Sequence, residues 1–303
     1  MTDIQERLCE VREKLPEGVR LVAVSKYHTC AAILEAYDAG QRIFGESRAQ
    51  ELQEKVPQLP NDIAWHFIGH LQINKVKYLA PCVSLIHAVD SFKLLSEIDR
   101  QCERFKEERI AKGLSPKIKV LLQLHVAQED TKYGFTPSEC KAFLDSSSWR
   151  ELENVEIAGI MCMATQTDDE EQIAREFQQA YDFFLMARTR YFSEDPSFCE
   201  CSWGMSDDYD IAVEHGATLV RVGSYIFGER DYGTKAATAD ATAKADADAF
   251  YHQGLSFAQH QEWGRAASAF RKALELDPES PAAQSLTMID DIMAYYHKDN
   301  FNP

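Results

Sequence analysis

Between residues 19 and 232 eight short runs rich in apolar and β-branched residues alternate with helical patterns, and that alternation leaves a chain few ways to fold. The runs lie at residues 20–25, 41–45, 64–68, 85–88, 117–125, 156–161, 198–202 and 218–223. Helical patterns fall at 31–39, 48–56, 73–79, 92–112, 137–146, 170–191 and 207–215. Parallel strands need crossovers of this kind, and eight such units predict an α/β fold of the (β/α)8 TIM-barrel class. An extra helix over residues 2–15 precedes the first strand. An open, doubly wound sheet fits the same periodicity, because the pattern does not distinguish closure from openness.

The chain has 303 residues, 45% of them hydrophobic and 27% charged, enough to bury a sizeable core. Its net charge of −17 disfavours nucleic acid or an anionic membrane surface as a partner, since like charges repel. A small anion in a local pocket remains compatible with that charge. No apolar run reaches the roughly 18 residues of a spanning helix, and residues 1–20 are too charged for a secretory signal. The eight cysteines lack paired C-x-x-C spacing, so they are expected to be reduced thiols in a cytoplasmic protein.

Composition changes after Tyr232. We assign residues 1–232 to the barrel and 233–249, rich in Ala, Thr, Asp and Lys, to a linker or soft helix. Residues 250–303 are expected to be a small all-α tail. Phe250, Gly254, Phe257, Ala266, Phe270, Ala273 and Pro278 fall at the offsets of one tetratricopeptide unit, followed by a capping helix over 280–297. One such unit cannot bury its own face, so the tail must lean on the barrel, a second copy or a protein partner.

Lys26 ends the first apolar run. At a strand end its stem lies among apolar neighbours, where desolvation disfavours the ammonium and a neutral amine can attack an aldehyde. A lysine reaching out to solvent is the alternative for the same position. In a closed barrel the eighth strand is its neighbour, and that strand empties into Gly223-Ser224, a turn whose amides and hydroxyl suit an anion. Loops after strands seven and eight of such barrels often hold phosphate. Ser206, expected as the N-cap of the helix after strand seven, would supply the other half of the cradle. Arg221, alternating with apolar residues, needs a partner if it points inward. A carboxylate is one such partner; the nitrogen of a pyridine ring is another. Lysine, aldehyde and phosphate together indicate pyridoxal 5′-phosphate.

The blocks LVAVSK (21–26), FGE (44–46), WHFIG (65–69), LQxNK (71–75), GMSDD (204–208) and VRVGSYIF (220–227) resemble the YggS/PROSC family of pyridoxal-phosphate homeostasis proteins. They stand in that family's order and span about residues 3–232. The resemblance implies a barrel like the N-terminal domain of alanine racemase, with pyridoxal 5′-phosphate held as a Schiff base on Lys26. It also implies that Ser206, Gly223 and Ser224 hold the phosphate and that Arg221 faces the pyridine nitrogen. Met205, inside the same block, is a further candidate neighbour of the cofactor. Ser47 stands where the family usually has Asn, a shorter side chain that would reach the ring hydroxyl through water. His70 replaces a common Pro, and Trp203 replaces the usual Met, which is expected to alter packing behind the phosphate loop.

Three functions follow as expectations. The first is a cytoplasmic carrier or buffer of pyridoxal phosphate without substantial catalysis, with cofactor-requiring apo-enzymes as recipients. The second is a racemase-like enzyme, which needs a second acid/base opposite the lysine. The third is an interaction protein working through its tail. His66, His87 and His125 are read as structural, with no spacing suited to a metal. Lys132 and Gly134 resemble the family's K-x-G on a rim loop, and Cys162 is read as a buried, inert thiol.

Overall fold

All eight runs form strands in the computed structural model, which describes residues 1–129, 133–228, 247–258, 262–277, 280–283 and 285–289. They are β1 (Arg20–Val24), β2 (Ile43–Glu46), β3 (Ala64–Phe67), β4 (Val83–Val89), β5 (Ile118–Leu124), β6 (Val155–Cys162), β7 (Glu200–Ser202) and β8 (Leu219–Val222). Every neighbour pair is parallel and β1 pairs with β8, so the sheet is a closed barrel in sequence order. The open-sheet alternative is thereby excluded. Four residue pairs join β1 to β8, whereas a single pair, Ser202 with Leu219, joins β7 to β8.

Helices α1 (Asp3–Lys14), α2 (Cys30–Asp38), α3 (Ala49–Lys55), α4 (Val76–Leu79), α5 (Phe92–Arg104), α6 (Lys106–Ala111), α7 (Pro137–Ser146), α8 (Glu170–Tyr191), α9 (Tyr209–Glu214) and α10 (Ser224–Phe227) accompany the strands. α1 begins at a capping box in which Thr2 and Gln5 satisfy each other's backbone N–H groups, and it buries Leu8 and Val11. The helix expected over 92–112 is two helices. They break at Phe105, and the second brings Arg109, fully buried, into contact with the carbonyls of Ala80, Val83, Ser115 and Lys117. Four carbonyl acceptors around one guanidinium lock α6 to the bottom of the barrel, which an unbroken helix would not reach. The pattern over 73–79 resolves into a 3₁₀ turn, Ile73–Lys75, leading into α4.

Apolar residues sort into two layers. The larger lies between strands and helices and takes in Leu21, Ala23, Phe44, Val220 and Val222. Val22, Leu85, Ala88, Leu121, Ala158, Met161 and Leu219 form a separate cluster. Those seven come from strands all around the ring, so they meet inside it, as the packed interior of such a barrel requires. Since side chains alternate along a strand, Arg221 shares the inward face of β8 with Leu219, and Glu46 shares the outward face of β2 with Phe44. The Arg20–Glu200 ion pair shares the inward face of β1 and β7 at the strands' N-terminal end.

Met1–Asp231 and Tyr232–Pro303 form two units. In the second, residues 247–258 and Trp263–Leu276 are helical, and Ala266, Phe270, Ala273, Ala282 and Ile289 share an apolar cluster with Phe250 and Phe257. A Cβ on Gly254 would lie 2.5 Å from the Phe270 ring, so only glycine permits the helices to approach this closely. Pro278, residues 233–246 of the linker, and half of the expected capping helix (284 and 290–297) lie outside the described residues.

Candidate functional site

Lys26 lies in a turn just beyond β1 rather than in the strand, which ends at Val24. The turn has a cause. Tyr27 adopts φ = +67°, a left-handed conformation that costs a non-glycine residue roughly 1–2 kcal/mol. It persists because the flanking groups are tied down. The Ser25 N–H donates to Gly45 O at 3.0 Å, the His28 N–H donates to Ser25 O at 3.1 Å, and the Tyr27 N–H donates to Glu51 Oε1 at 2.6 Å. His28 also stacks on Phe227 of α10 with ring centroids 5.0 Å apart, which ties the Lys26 turn to the segment that starts at Ser224.

Across the β1–β8 pairing Ser206, Gly223 and Ser224 come together. The Gly223 N–H donates to Ser206 Oγ at 3.4 Å, and Ser224 Oγ donates to the same oxygen at 3.1 Å. Gly223 sits against the end of β1, where a Cβ would come within 2.9 Å of the Val24 carbonyl oxygen. Its role is therefore close backbone approach, not a positive φ. Ser206, Gly223, Ser224 and the Lys26 turn thus gather at the C-terminal ends of β1, β7 and β8, the face on which barrels of this class place their sites.

Ser206 does not cap a helix. α9 starts three residues later, with Asp208 at its N-cap, and Asp208 Oδ1 accepts the Met205 N–H at 2.5 Å. By ending the loop early, Asp208 leaves the Ser206 hydroxyl to turn toward β8. Burial pushes the Asp208 carboxyl above its usual value. Gly204 permits this hairpin with φ = +87° and space only for a hydrogen, since a Cβ would meet Ala212 Cβ at 2.5 Å. Met205 is exposed beside the loop. Ser47 lies just past β2, with its backbone so near Gly69 that a Cβ on that glycine would be 2.9 Å from Ser47 Cα. Trp203 is fully buried behind the loop, edge-on to Tyr181, with no partner for its Nε1 among the described residues.

Arg221 is 4% exposed and points into the barrel just below the cradle. It donates to Ser202 O at 2.8 Å, Ser202 Oγ at 2.7 Å and Cys162 O at 3.1 Å. Among the described residues no carboxylate comes within ion-pair distance of it, so the salt-bridge alternative does not hold. Burial lowers its pKa, yet a guanidinium stays charged. A chain of hydrogen bonds continues from it. His87 Nδ1 lies 2.9 Å from Ser202 Oγ, and His87 Nε2 lies 3.0 Å from His66 Nδ1. Arginine only donates, so Ser202 Oγ accepts from it and passes its own proton toward His87 Nδ1. His87 then carries its proton on Nε2 and His66 on its Nε2. Burial keeps both rings neutral, bringing His66 down to about 3 and His87 well below its usual value.

The remaining expectations fall as follows. His70 stacks on Tyr133 with centroids 3.7 Å apart and lies 3.5 Å from Asp90. His125 Nε2 is 2.9 Å from Glu129 O, Cys162 is buried, and Lys132 lies outside the described residues. No metal-ligating cluster and no helix long and apolar enough to cross a membrane occurs among the described residues. Sequence reasoning passed over Glu51 and Lys55, whose side chains reach the Lys26 turn. Their i, i+4 spacing on α3 was the available signal.

The family described as the N-terminal domain of alanine racemase matches residues 1–231. A pyridoxal phosphate homeostasis protein of Aquifex aeolicus is 34% identical over 236 residues, covering 77% of this chain and 97% of the relative. The human protein of that name is 38% identical over 249 residues, covering 77% and 86%. The solved structure of PipY from Synechococcus elongatus with PLP bound is 37% identical, with a TM-score of 0.65 over 74% of this chain and all of that one. Alanine racemase of Clostridium difficile, 14% identical with a TM-score of 0.58, shares the fold. By sequence and by architecture, then, this chain belongs to the pyridoxal phosphate homeostasis proteins, within the alanine racemase N-terminal domain family.

Proposed function

We propose that this chain binds pyridoxal 5′-phosphate, holds it as a Schiff base on Lys26, and keeps or hands on the cofactor without substantial turnover. The observation that carries the reading is the convergence of Ser206, Gly223 and Ser224 beside the Lys26 turn. Two hydroxyls and a backbone amide are donors suited to a phosphate, and the missing Cβ of Gly223 lets the backbone close on it. PipY, a relative at 37% identity, has been solved with PLP bound.

When bound, the cofactor would supply an aldehyde that joins the lysine amine with loss of one water, and a ring able to withdraw electrons. The protein's own residues bias that chemistry. Arg221, if it faces the ring nitrogen, would present a donor that cannot give up its proton, so that nitrogen would stay unprotonated and would withdraw electrons weakly. That arrangement suits retention of the cofactor better than carbanion chemistry. Cofactor-requiring apo-enzymes as recipients, a partner for the tetratricopeptide-like tail, and a cytoplasmic setting complete the reading.

The test is spectroscopic. Purified protein given pyridoxal phosphate should gain visible absorbance, borohydride should fix the label on Lys26, and Lys26→Ala should abolish the label. Labelling at another lysine, or an unchanged spectrum in the Ala variant, would sink the reading. Incubation with L- and D-alanine should give no rapid interconversion; fast racemisation would overturn the carrier assignment.

A further inference from the structure

Behind the Lys26 turn, on the outward face of the barrel wall, lies a buried charge cluster that the proposed site does not use. Lys55 Nζ donates to Glu46 Oε1 at 2.7 Å, Glu51 Oε1 at 2.6 Å and the Ser25 carbonyl at 2.8 Å. Ser25 Oγ donates to Glu46 Oε1 at 2.6 Å, and Glu51 Oε1 accepts the Tyr27 N–H at 2.6 Å. The Lys55 side chain is 7% exposed and that of Glu46 is wholly buried. Lys55 therefore holds the carbonyl just before Lys26 and Glu51 the amide just after it, while Glu46 fixes the Lys55 ammonium and the Ser25 hydroxyl.

Stability does not account for the cluster. A buried ion pair is commonly matched or exceeded in stability by apolar residues of the same size, because desolvating the charges offsets their attraction. Here one Glu46 oxygen, Oε2, is buried with no partner among the described residues. What charges supply and apolar groups cannot is direction, since the bonds from Lys55 to Ser25 O and from the Tyr27 N–H to Glu51 fix the two backbone groups that Tyr27's left-handed φ would otherwise release.

We propose that Lys55, with Glu46 and Glu51, is a positioning residue for Lys26, clamping both backbone flanks of that lysine so that its amine is aimed at the ligand held by the Ser206–Gly223–Ser224 cradle. This rests on the function proposed above. The cradle belongs to β7 and β8 and has none of the cluster's hydrogen bonds, so the two contributions are separable.

Three measurements on the full chain test the assignment, for Glu46→Met/Lys55→Met and for Glu51→Ala. They are the thermal midpoint, the affinity for pyridoxine 5′-phosphate, which has the phosphate and ring but no aldehyde, and the extent of borohydride trapping of pyridoxal phosphate on Lys26. The double variant should keep its midpoint and bind pyridoxine phosphate within about twofold of wild type. Trapping on Lys26 at a fixed, subsaturating concentration should fall by about tenfold in the double variant and several-fold in Glu51→Ala. A folded variant that binds pyridoxine phosphate and traps at the wild-type extent overturns the proposal. So does a parallel loss of both ligands, which would mark the cluster as general scaffolding. If the double variant does not fold, Glu51→Ala, at a half-buried site, decides by the same criteria. Wild-type protein that traps nothing on Lys26 defeats the underlying function, an outcome distinct from wild-type trapping that the variants retain.

Discussion

Two buried polar clusters lie on the two sides of the barrel wall, one inside and one outside, and they solve the same difficulty in opposite ways. Inside, Arg221, Ser202, His87 and His66 form a chain with one fixed cation and two neutral rings. Outside, Glu46, Glu51, Lys55 and Ser25 form a cluster in which charge meets charge. The inner chain avoids the cost of burying ions by leaving its histidines unprotonated. The outer cluster accepts that cost and offsets it by pairing. Buried polarity next to a binding face thus has two currencies, tautomer and ion pair, and each should leave its own signature when perturbed.

The largest effect is expected from splitting the outer pair. Lys55→Ala leaves the wholly buried Glu46 without its cation and should cost about 3–5 kcal/mol in urea unfolding, whereas Glu46→Met/Lys55→Met should stay within about 1 kcal/mol of wild type. A Lys55→Ala loss below about 1 kcal/mol would erase the distinction between the clusters. The inner chain should break more gently. His87→Leu strands a Ser202 hydroxyl proton and a His66 nitrogen, for a loss of about 1–3 kcal/mol by the same measurement.

Acid should separate the two more sharply than mutation. His66 falls to about 3 in the fold against 6.5 when unfolded, so the unfolded chain binds the extra proton and stability drops as pH falls below about 6.5. Glu46 is raised by burial to about 7 against 4.5, despite Lys55, so its contribution grows as pH falls from 7 toward 4.5 and is lost as pH rises through 7. Thermal melts from pH 7.5 to 5 should therefore be steeper for Glu46→Gln than for wild type, and shallower for His66→Gln/His87→Gln. Identical slopes in all three would contradict both assignments. The smallest effect sets the baseline. Lys112→Ala removes a half-exposed i, i+4 partner of Glu108 and should cost about 0.3–0.5 kcal/mol, most of it screened by salt.

Periodicity made the eight strands and their crossovers legible but not their closure, which an open sheet fits equally well until β1 pairs with β8, and Gly223 and Ser206 were legible as backbone and hydroxyl donors in rim loops. The fate of Ser206 was not. Its N-cap role depended on where α9 begins, and Asp208 settled that by bonding the Met205 N–H instead. The break at Phe105 escaped notice because Arg109 reads as a surface residue until four carbonyls from three segments surround it. Likewise His66 and His87 are 21 residues apart, and only strand register makes them neighbours. Local pattern reports elements; which polar groups satisfy each other across elements is a property of the closed ring.

That ring has a seam. β1 and β8 are the first and last strands made, and the Lys26 turn and the Gly223–Ser224 loop lie on opposite lips of it, almost two hundred residues apart in the chain. Both lips must have left the ribosome before they can touch, so no nascent chain that stops short of β8 can hold a ligand there. A molecule gripping both lips becomes a staple across the closure, and at a hundred times its dissociation constant it adds about 2.7 kcal/mol to the stability of the finished ring. Occupancy of the site would then report on closure of the ring as well as on supply of the ligand.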